Sequence, residues 1–140
     1  MAARALVIDA NILIRAVLGR RVRRLIELYS GQVTFLMPTA AYAEAEEHLS
    51  LLVIRRKGNP EEQQAVLQAL GELVEMVGVE IYCEFEDLAR DRLKSRDQED
   101  WPILACALAF DCPIWTEDTD FFGCGVPTWT SDRVEAFLRA

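Results

Sequence analysis

The stretch Ala5-Leu6-Val7-Ile8-Asp9-Ala10-Asn11-Ile12-Leu13 decides how the rest of the chain is read. An unbroken apolar run with no polar alternation fits a strand covered on both faces, the kind found in parallel sheets. It stops at a carboxylate, Asp9, and from Asn11 to Leu18 the chain is compatible with helix until Gly19 breaks it. A buried strand that ends in an acid and turns into a helix is the opening of an alternating β/α chain. In open α/β sheets, ligands bind outside the carboxyl ends of the strands. Asp9 is therefore a candidate site residue, with helix N-capping as its purely structural alternative.

Working outward, the same alternation recurs. Arg20 to Tyr29 is amphipathic, with Val22, Leu25, Ile26 and Leu28 set among arginines, and Ser30-Gly31 ends it. Val33 to Met37 reads as a second strand closed by Pro38, and Thr39 as the N-cap of a helix through Arg55. Lys57-Gly58-Asn59-Pro60 is a turn. Val66, Leu67, Leu70, Leu73 and Val74 predict a helix over Pro60 to Met76, followed by a third strand over Val79 to Cys83. Phe85 to Leu93 is helical, Lys94 to Glu99 a polar connection, and Asp100 to Phe110 a helix that tolerates Pro102 in its first turn. Short strands are expected at Pro113–Thr116 and Val126–Trp129, then a helix over Asp132 to Leu138 capped by Ser131. Strands alternating with helices imply an α/β fold: a central, mostly parallel sheet with helices on both faces.

Composition bounds the function. The 140 residues suit one domain over 1–140, large enough to fold without a disulfide or a metal. No apolar run reaches the length of a membrane span, and the opening MAARALVIDANIL shows no leader-cleavage pattern, so a cytoplasmic protein without a membrane role is expected. Cys83, Cys106, Cys112 and Cys124 form no CxxC pair, and His48 is the only histidine, which argues against structural zinc and for free thiols. A catalytic cysteine using His48 as base has nothing near His48 to support it. The net charge of −8 is unlike that of a nonspecific nucleic-acid binder, but it suits a protein that gathers carboxylates around cations.

The acids fall at meaningful places. Asp9 follows the first strand and Asp118 lies just past the fourth; Glu44 sits early in the helix after the second strand, and Asp100 opens the helix that leads to the fourth. Carboxylates that converge raise one another's pKa unless a cation is present. Oxygen ligands without His or Cys favour Mg²⁺ or Mn²⁺, which can activate water and neutralise charge on a phosphoryl oxygen. Each acid also has an ordinary explanation: Asp9 and Asp100 at helix N-termini, Glu44 on a solvated face with Glu46 and Glu47, Asp118 and Asp120 in a turn. The case rests on their falling together at one rim.

These residues resemble the PIN-domain family, in particular the small VapC-type toxins of bacteria and archaea. Val7-Ile8-Asp9-Ala10-Asn11-Ile12-Leu13 is similar to the family's strand and D-x-N opening. Pro38 with Glu44 resembles its second motif, and Asp100 before Ile103-Leu104-Ala105-Cys106-Ala107 its third. Trp115-Thr116-Glu117-Asp118-Thr119-Asp120-Phe121 resembles the fourth, T-x-D-x-D-F. The resemblance spans nearly the whole chain. It implies a three-layer α/β/α fold and Mg²⁺- or Mn²⁺-dependent endoribonuclease activity, in which a metal-activated water cleaves RNA phosphodiester bonds. It further implies Asp9, Glu44, Asp100 and Asp118 as the catalytic acids, with Asp9, Asp100 and Asp118 on the metal and Asn11, Thr116 and Asp120 auxiliary. A homodimer, and a cognate antitoxin if the chain is a toxin, follow from the same resemblance. Asp97 is an alternative third acid, and Glu46 or Glu47 alternatives to Glu44.

For RNA contact, Arg15, Arg20 and Arg21 are candidates, since arginine's forked donors suit phosphate; a solubilising helix face is the alternative. Two rival chemistries fit less well. A haloacid-dehalogenase-like phosphatase needs D-x-D-x-T, and here Asn11 and Leu13 occupy the third and fifth positions. A receiver domain needs a lysine that has no place in this pattern. A PIN-like binding module without catalysis is the rival from another class, and metal binding separates it from a nuclease.

Overall fold

A computed structural model describes residues 4–140; residues 1–3, part of the opening segment read above for a leader, lie outside the described residues. The order of elements is β1 (Arg4–Ile8), α1 (Ala10–Leu18), α2 (Arg21–Tyr29), β2 (Val33–Pro38), α3 (Thr39–Arg56), α4 (Pro60–Gly71), β3 (Val74–Val77), α5 (Val79–Tyr82), α6 (Glu86–Arg92), α7 (Trp101–Phe110), β4 (Ile114–Trp115), β5 (Thr128–Trp129) and α8 (Val134–Leu138). All strand pairs are parallel, in the order β3-β2-β1-β4-β5. β1 lies at the centre, and Leu6, Val7 and Ile8 are fully buried, as its uninterrupted apolar run predicts. Helices α1, α2, α3 and α4 pack with one another, and α5, α6 and α7 form a second set, which gives the expected α/β fold. No described helix is long and apolar enough to cross a membrane.

The chain leaves β1 toward β2 and β3 on one side and returns through β4 and β5 on the other. The strand order therefore reverses between β1 and β4, and their carboxyl ends flank a switch-point crevice. Pairing across this line is brief: Val7 opposes Ile114 and Ile8 opposes Trp115. Backbone bonds cross it from Val7 N–H to Pro113 O at 3.0 Å and from Asp9 N–H to Trp115 O at 3.4 Å, while Thr116 N–H donates on the other side to Trp129 O of β5 at 3.0 Å.

The region after α4 corrects the sequence expectation. The helix expected to run to Met76 ends at Gly71, and Val74–Val77 forms β3, with Phe35 opposite Val74 and Pro38 opposite Val77. The strand expected over Val79–Cys83 is instead the short helix α5 and a following 3₁₀ turn at Cys83–Phe85. The cause is physical. A short apolar run satisfies either period, and Val74 falls in phase with the helical stripe of Val66, Leu67 and Leu70. The edge of β2, available beyond Phe35, decides in favour of strand. Two caps also differ. Thr39 is the first helical residue after an extended Pro38 and makes no cap bond, and α8 begins at Val134 with Arg133, not Ser131, at its cap position. The Ser131 hydroxyl instead accepts from Trp115 Nε1 at 3.0 Å.

Candidate functional site

Asp9 is 5% exposed, although a carboxylate is among the groups least often buried. Both of its oxygens are occupied. Oδ1 accepts from the Ile12 N–H at 2.9 Å, capping α1, and Oδ2 accepts from the Thr116 hydroxyl. The capping explanation for Asp9 is thus correct but uses only one oxygen. Thr116, fully buried, also accepts from the Asp118 N–H at 2.9 Å. One hydroxyl therefore ties the end of β1 to the loop after β4. Asp118 in turn caps the 3₁₀ turn Thr119–Phe121, accepting from the Asp120 N–H at 2.9 Å.

Asp100, half-buried at the cap position of α7, reaches the same rim. Carboxylate oxygens of Asp100, Asp118 and Asp120 all lie within 4.8 Å of one another. Asp9 lies outside this tight trio but acts on it through charge. Burial raises the Asp9 carboxyl from 3.8 to about 6 despite the Thr116 and Ile12 hydrogen bonds, and Asp118 and Glu117 add repulsion. Burial also raises Asp100, to about 7, reinforced by Asp97, Asp118, Glu44 and Asp9. Among the described residues, no salt bridge involves Asp9, Asp100, Asp118 or Asp120. Arg96 reaches the turn after Asp118, but its guanidinium donates to the Thr119 carbonyl rather than to a carboxylate. Several hard oxygen donors, crowded and unneutralised, are a donor set that fits a divalent cation of the Mg²⁺ or Mn²⁺ kind.

The remaining sequence candidates separate. Glu44 lines a cleft of about 250 Å³ together with Asp97, Glu99 and Asp100, and Glu46 and Glu47 do not. Asp97 is exposed, and its carboxylate accepts from the Glu99 N–H at 3.0 Å, capping the turn that delivers Asp100. Asn11, exposed in the first turn of α1, has no side-chain hydrogen bond among the described residues. Arg15, Arg20 and Arg21 border a separate cavity of about 380 Å³ with Leu18 and Ser131, and Arg21 donates to Ser131 O at 3.3 Å. Arg23 is committed elsewhere: it caps α1 by donating to Ala16 O at 2.8 Å and Val17 O at 2.6 Å.

Sequence reading gave Asp120 only an auxiliary part, yet it belongs to the tight trio. The signal was present in Thr116-Glu117-Asp118-Thr119-Asp120, because acids two apart across a tight turn can converge where the first caps the second's N–H. Glu117 was also passed over; its carboxylate accepts from the Ser131 N–H and fastens the loop after β5 to the rim.

An open parallel sheet with carboxylates gathered at its switch point defines a class of α/β protein whose chemistry is built on acids. The chain belongs to the PIN domain family, whose model matches residues 7–139. Comparison with curated protein sequences gives no match. Among solved structures, the chain is similar to VapBC2 from Rickettsia felis, solved bound to a DNA fragment from its promoter. That likeness has a TM-score of 0.71 at 18% identity and covers 90% of this chain and 98% of that one. A toxin–antitoxin complex from Klebsiella pneumoniae matches at TM-score 0.66 and 20% identity over 93% of this chain and 98% of that one. A protein from Pyrobaculum aerophilum matches at TM-score 0.70 and 15% identity over 99% and 97%. At such identities the likeness speaks to the fold.

Proposed function

We propose that the chain, as a single PIN domain over residues 1–140, is a metal-dependent endoribonuclease that hydrolyses RNA phosphodiester bonds. The observation that carries this reading is the convergence of Asp100, Asp118 and Asp120 within 4.8 Å at the switch point, beside the buried Asp9. Asp100, Asp118 and Asp120 would hold a Mg²⁺ or Mn²⁺ ion, with Asp9 supplying further negative charge and Glu44 facing it across the cleft. When bound, the divalent ion supplies Lewis-acid neutralisation of phosphoryl charge and acidifies water.

The protein's own residues supply placement. Thr116 fixes Asp9 and the Asp118 backbone relative to each other, so the two sides of the crevice keep their spacing. The turn donated to Asp118 brings Asp120 alongside it. Asp100 would give up its proton when a cation occupies the trio, since its carboxyl, near 7 in the metal-free protein, must be ionised to act as a ligand. Asn11, at the exposed start of α1, is available to hydrogen-bond the scissile phosphate. Arg15, Arg20 and Arg21 would offer local positive charge to the RNA backbone on a protein whose net charge is −8.

Likeness to toxin–antitoxin structures supports the further reading that the chain is the toxin of such a pair, held in check by a cognate antitoxin; a homodimer acting in the cytoplasm completes the proposal. The test is direct. Purified protein with Mn²⁺ should cleave RNA, EDTA should stop it, and Asp9→Asn or Asp100→Asn should abolish cleavage in folded protein. Full cleavage by both variants refutes the assignment. Failure of the wild type to bind Mn²⁺ at all favours the non-catalytic binding module.

A further inference from the structure

We propose that the cavity beside the acidic rim is a nucleobase subsite, in which an unpaired base flanking the cut stacks against Phe122 and Trp129 while Arg133 meets the adjoining phosphate. This rests on the nuclease reading above and specifies its substrate as single-stranded at that position. The cavity measures about 300 Å³ and is lined by Phe122, Thr128, Trp129, Thr130 and Arg133.

Its position follows from the hydrogen bonds that build the rim. Phe122 ends the 3₁₀ turn capped by Asp118, its N–H donating to Thr119 O at 3.0 Å, and stands two residues beyond Asp120. Trp129 accepts from the Thr116 N–H through its carbonyl at 3.0 Å, and Ser131 is tied to Glu117. Both walls of the cavity are thus fastened to the segment that carries Asp118. In the T-x-D-x-D-F pattern, Phe121 is buried as core at 1% exposure, whereas the next aromatic, Phe122, is turned out at 38%. An apolar ring held out beside a polar rim costs hydration free energy, which a stacking partner recovers.

Two further observations describe the walls that would meet a stacked base and its phosphate. Trp129 Nε1 is the one buried side-chain nitrogen or oxygen without a hydrogen-bond partner among the described residues. A buried indole N–H normally finds an acceptor, and this one, closed off from water, has none, so the ring offers the cavity its face rather than its polar edge. The Trp129 ring also packs against Phe137, centroids 5.9 Å apart, which limits its movement. Arg133 lines the cavity and makes no salt bridge among the described residues, so its guanidinium is available to a phosphate there. Asp132, the acid next to Arg133, is engaged by the Thr130 hydroxyl. Bases in a duplex are stacked on their neighbours and cannot enter; an unpaired base can.

The test uses full-length protein carrying Asp9→Asn, so that the RNA stays intact, and a fluorescein-labelled single-stranded oligoribonucleotide in Mn²⁺, read by anisotropy. Adding Phe122→Ala should weaken binding about tenfold, the scale of one lost base stack. Arg133→Gln should cause a smaller loss that shrinks as salt rises. With an abasic nucleotide moved along the oligonucleotide, affinity should fall at one position in the parent protein and at none in the Phe122→Ala protein. Circular dichroism melts confirm that each variant is folded. Unchanged affinity of Phe122→Ala, no position-dependent abasic effect, or a duplex bound as well as the single strand would overturn the subsite, and if wild-type protein cleaves RNA the nuclease reading stands without it. If wild-type protein neither binds nor cleaves RNA in Mn²⁺, the nuclease reading falls, and the subsite with it.

Discussion

Replacing Thr116 with valine removes one hydroxyl and little volume, at a position with no solvent exposure. Two hydrogen bonds disappear together: the one donated to Asp9 and the one accepted from the Asp118 N–H at 2.9 Å. A hydrogen bond to an ionised carboxylate is worth about 2 kcal/mol net, and a neutral one about 1 kcal/mol. At pH 8, where Asp9 is ionised, the loss should therefore be about 3 kcal/mol. At pH 5, below the Asp9 value of about 6, the carboxyl is mostly protonated and the loss should fall to about 2 kcal/mol. The sign follows from linkage. Thr116 lowers the Asp9 pKa, so its extra stabilisation exists above that pKa and is lost as pH falls through it. Urea unfolding of wild-type and Thr116→Val proteins in EDTA at the two pH values measures the difference. On a domain of this size, about 3 kcal/mol corresponds to a fall in Tm of about 10 °C. A difference under about 0.5 kcal/mol, the level of an ordinary surface substitution, or one that is larger at pH 5, would refute the account of Thr116 as the tie between Asp9 and Asp118.

Other outcomes follow from the same geometry. Because Asp9 and Asp100 have raised carboxyls, their favourable contribution is present in acid and is lost as pH rises through about 6 and about 7, so metal-free protein should be less stable at pH 8 than at pH 5. For Asp9 alone, the change from 3.8 to about 6 corresponds to about 3 kcal/mol over the whole titration, of which about 1.4 kcal/mol falls between pH 5 and pH 8, and scanning calorimetry in EDTA should register it. Mn²⁺ should raise Tm more at pH 8 than at pH 5, with a proton released on binding that calorimetry in buffers of different ionisation enthalpy detects. Arg23→Ala should destabilise the fold by about 1–2 kcal/mol in urea titration, since two end carbonyls of α1 lose their donor. Changing Arg20 and Arg21 together to Gln should lower the slope of log affinity for RNA against log salt, and an unchanged slope would return them to a solubilising role.

Much of this was legible in the sequence, for reasons that differ from residue to residue. Asp9 could be placed because a strand buried on both faces has an unmistakable apolar signature, and its end is where the acid stands. Glu44 could be favoured over its neighbours only by its offset from Pro38, and its place in the cleft with Asp97 and Asp100 sets it apart from Glu46 and Glu47. β3 escaped because Val74-Glu75-Met76-Val77 carries too few residues to express a period of its own, and the edge of β2 that claims it is remote in sequence. The prominence of Asp120 escaped because it depends on the turn Asp118 closes, and Thr116's bridging role because it joins residues 107 positions apart. Such contacts belong to tertiary structure, and no local pattern announces them.

The reversal of strand order also has a mechanical side. β1 and β4 oppose each other at only two positions, as do β4 and β5, against four between β1 and β2, so one of the sheet's two short seams runs directly beneath the acids. Above that seam the like charges on its two banks push it apart, and the Thr116 hydroxyl stitches it. A cation held by Asp100 and Asp118 alongside Asp9 would draw the same banks together. The seam would then be the part of the fold that loosens first in the metal-free protein and tightens most on loading, visible as hydrogen exchange at the amides of Val7 and Asp9, which donate across it, that slows when Mn²⁺ is added.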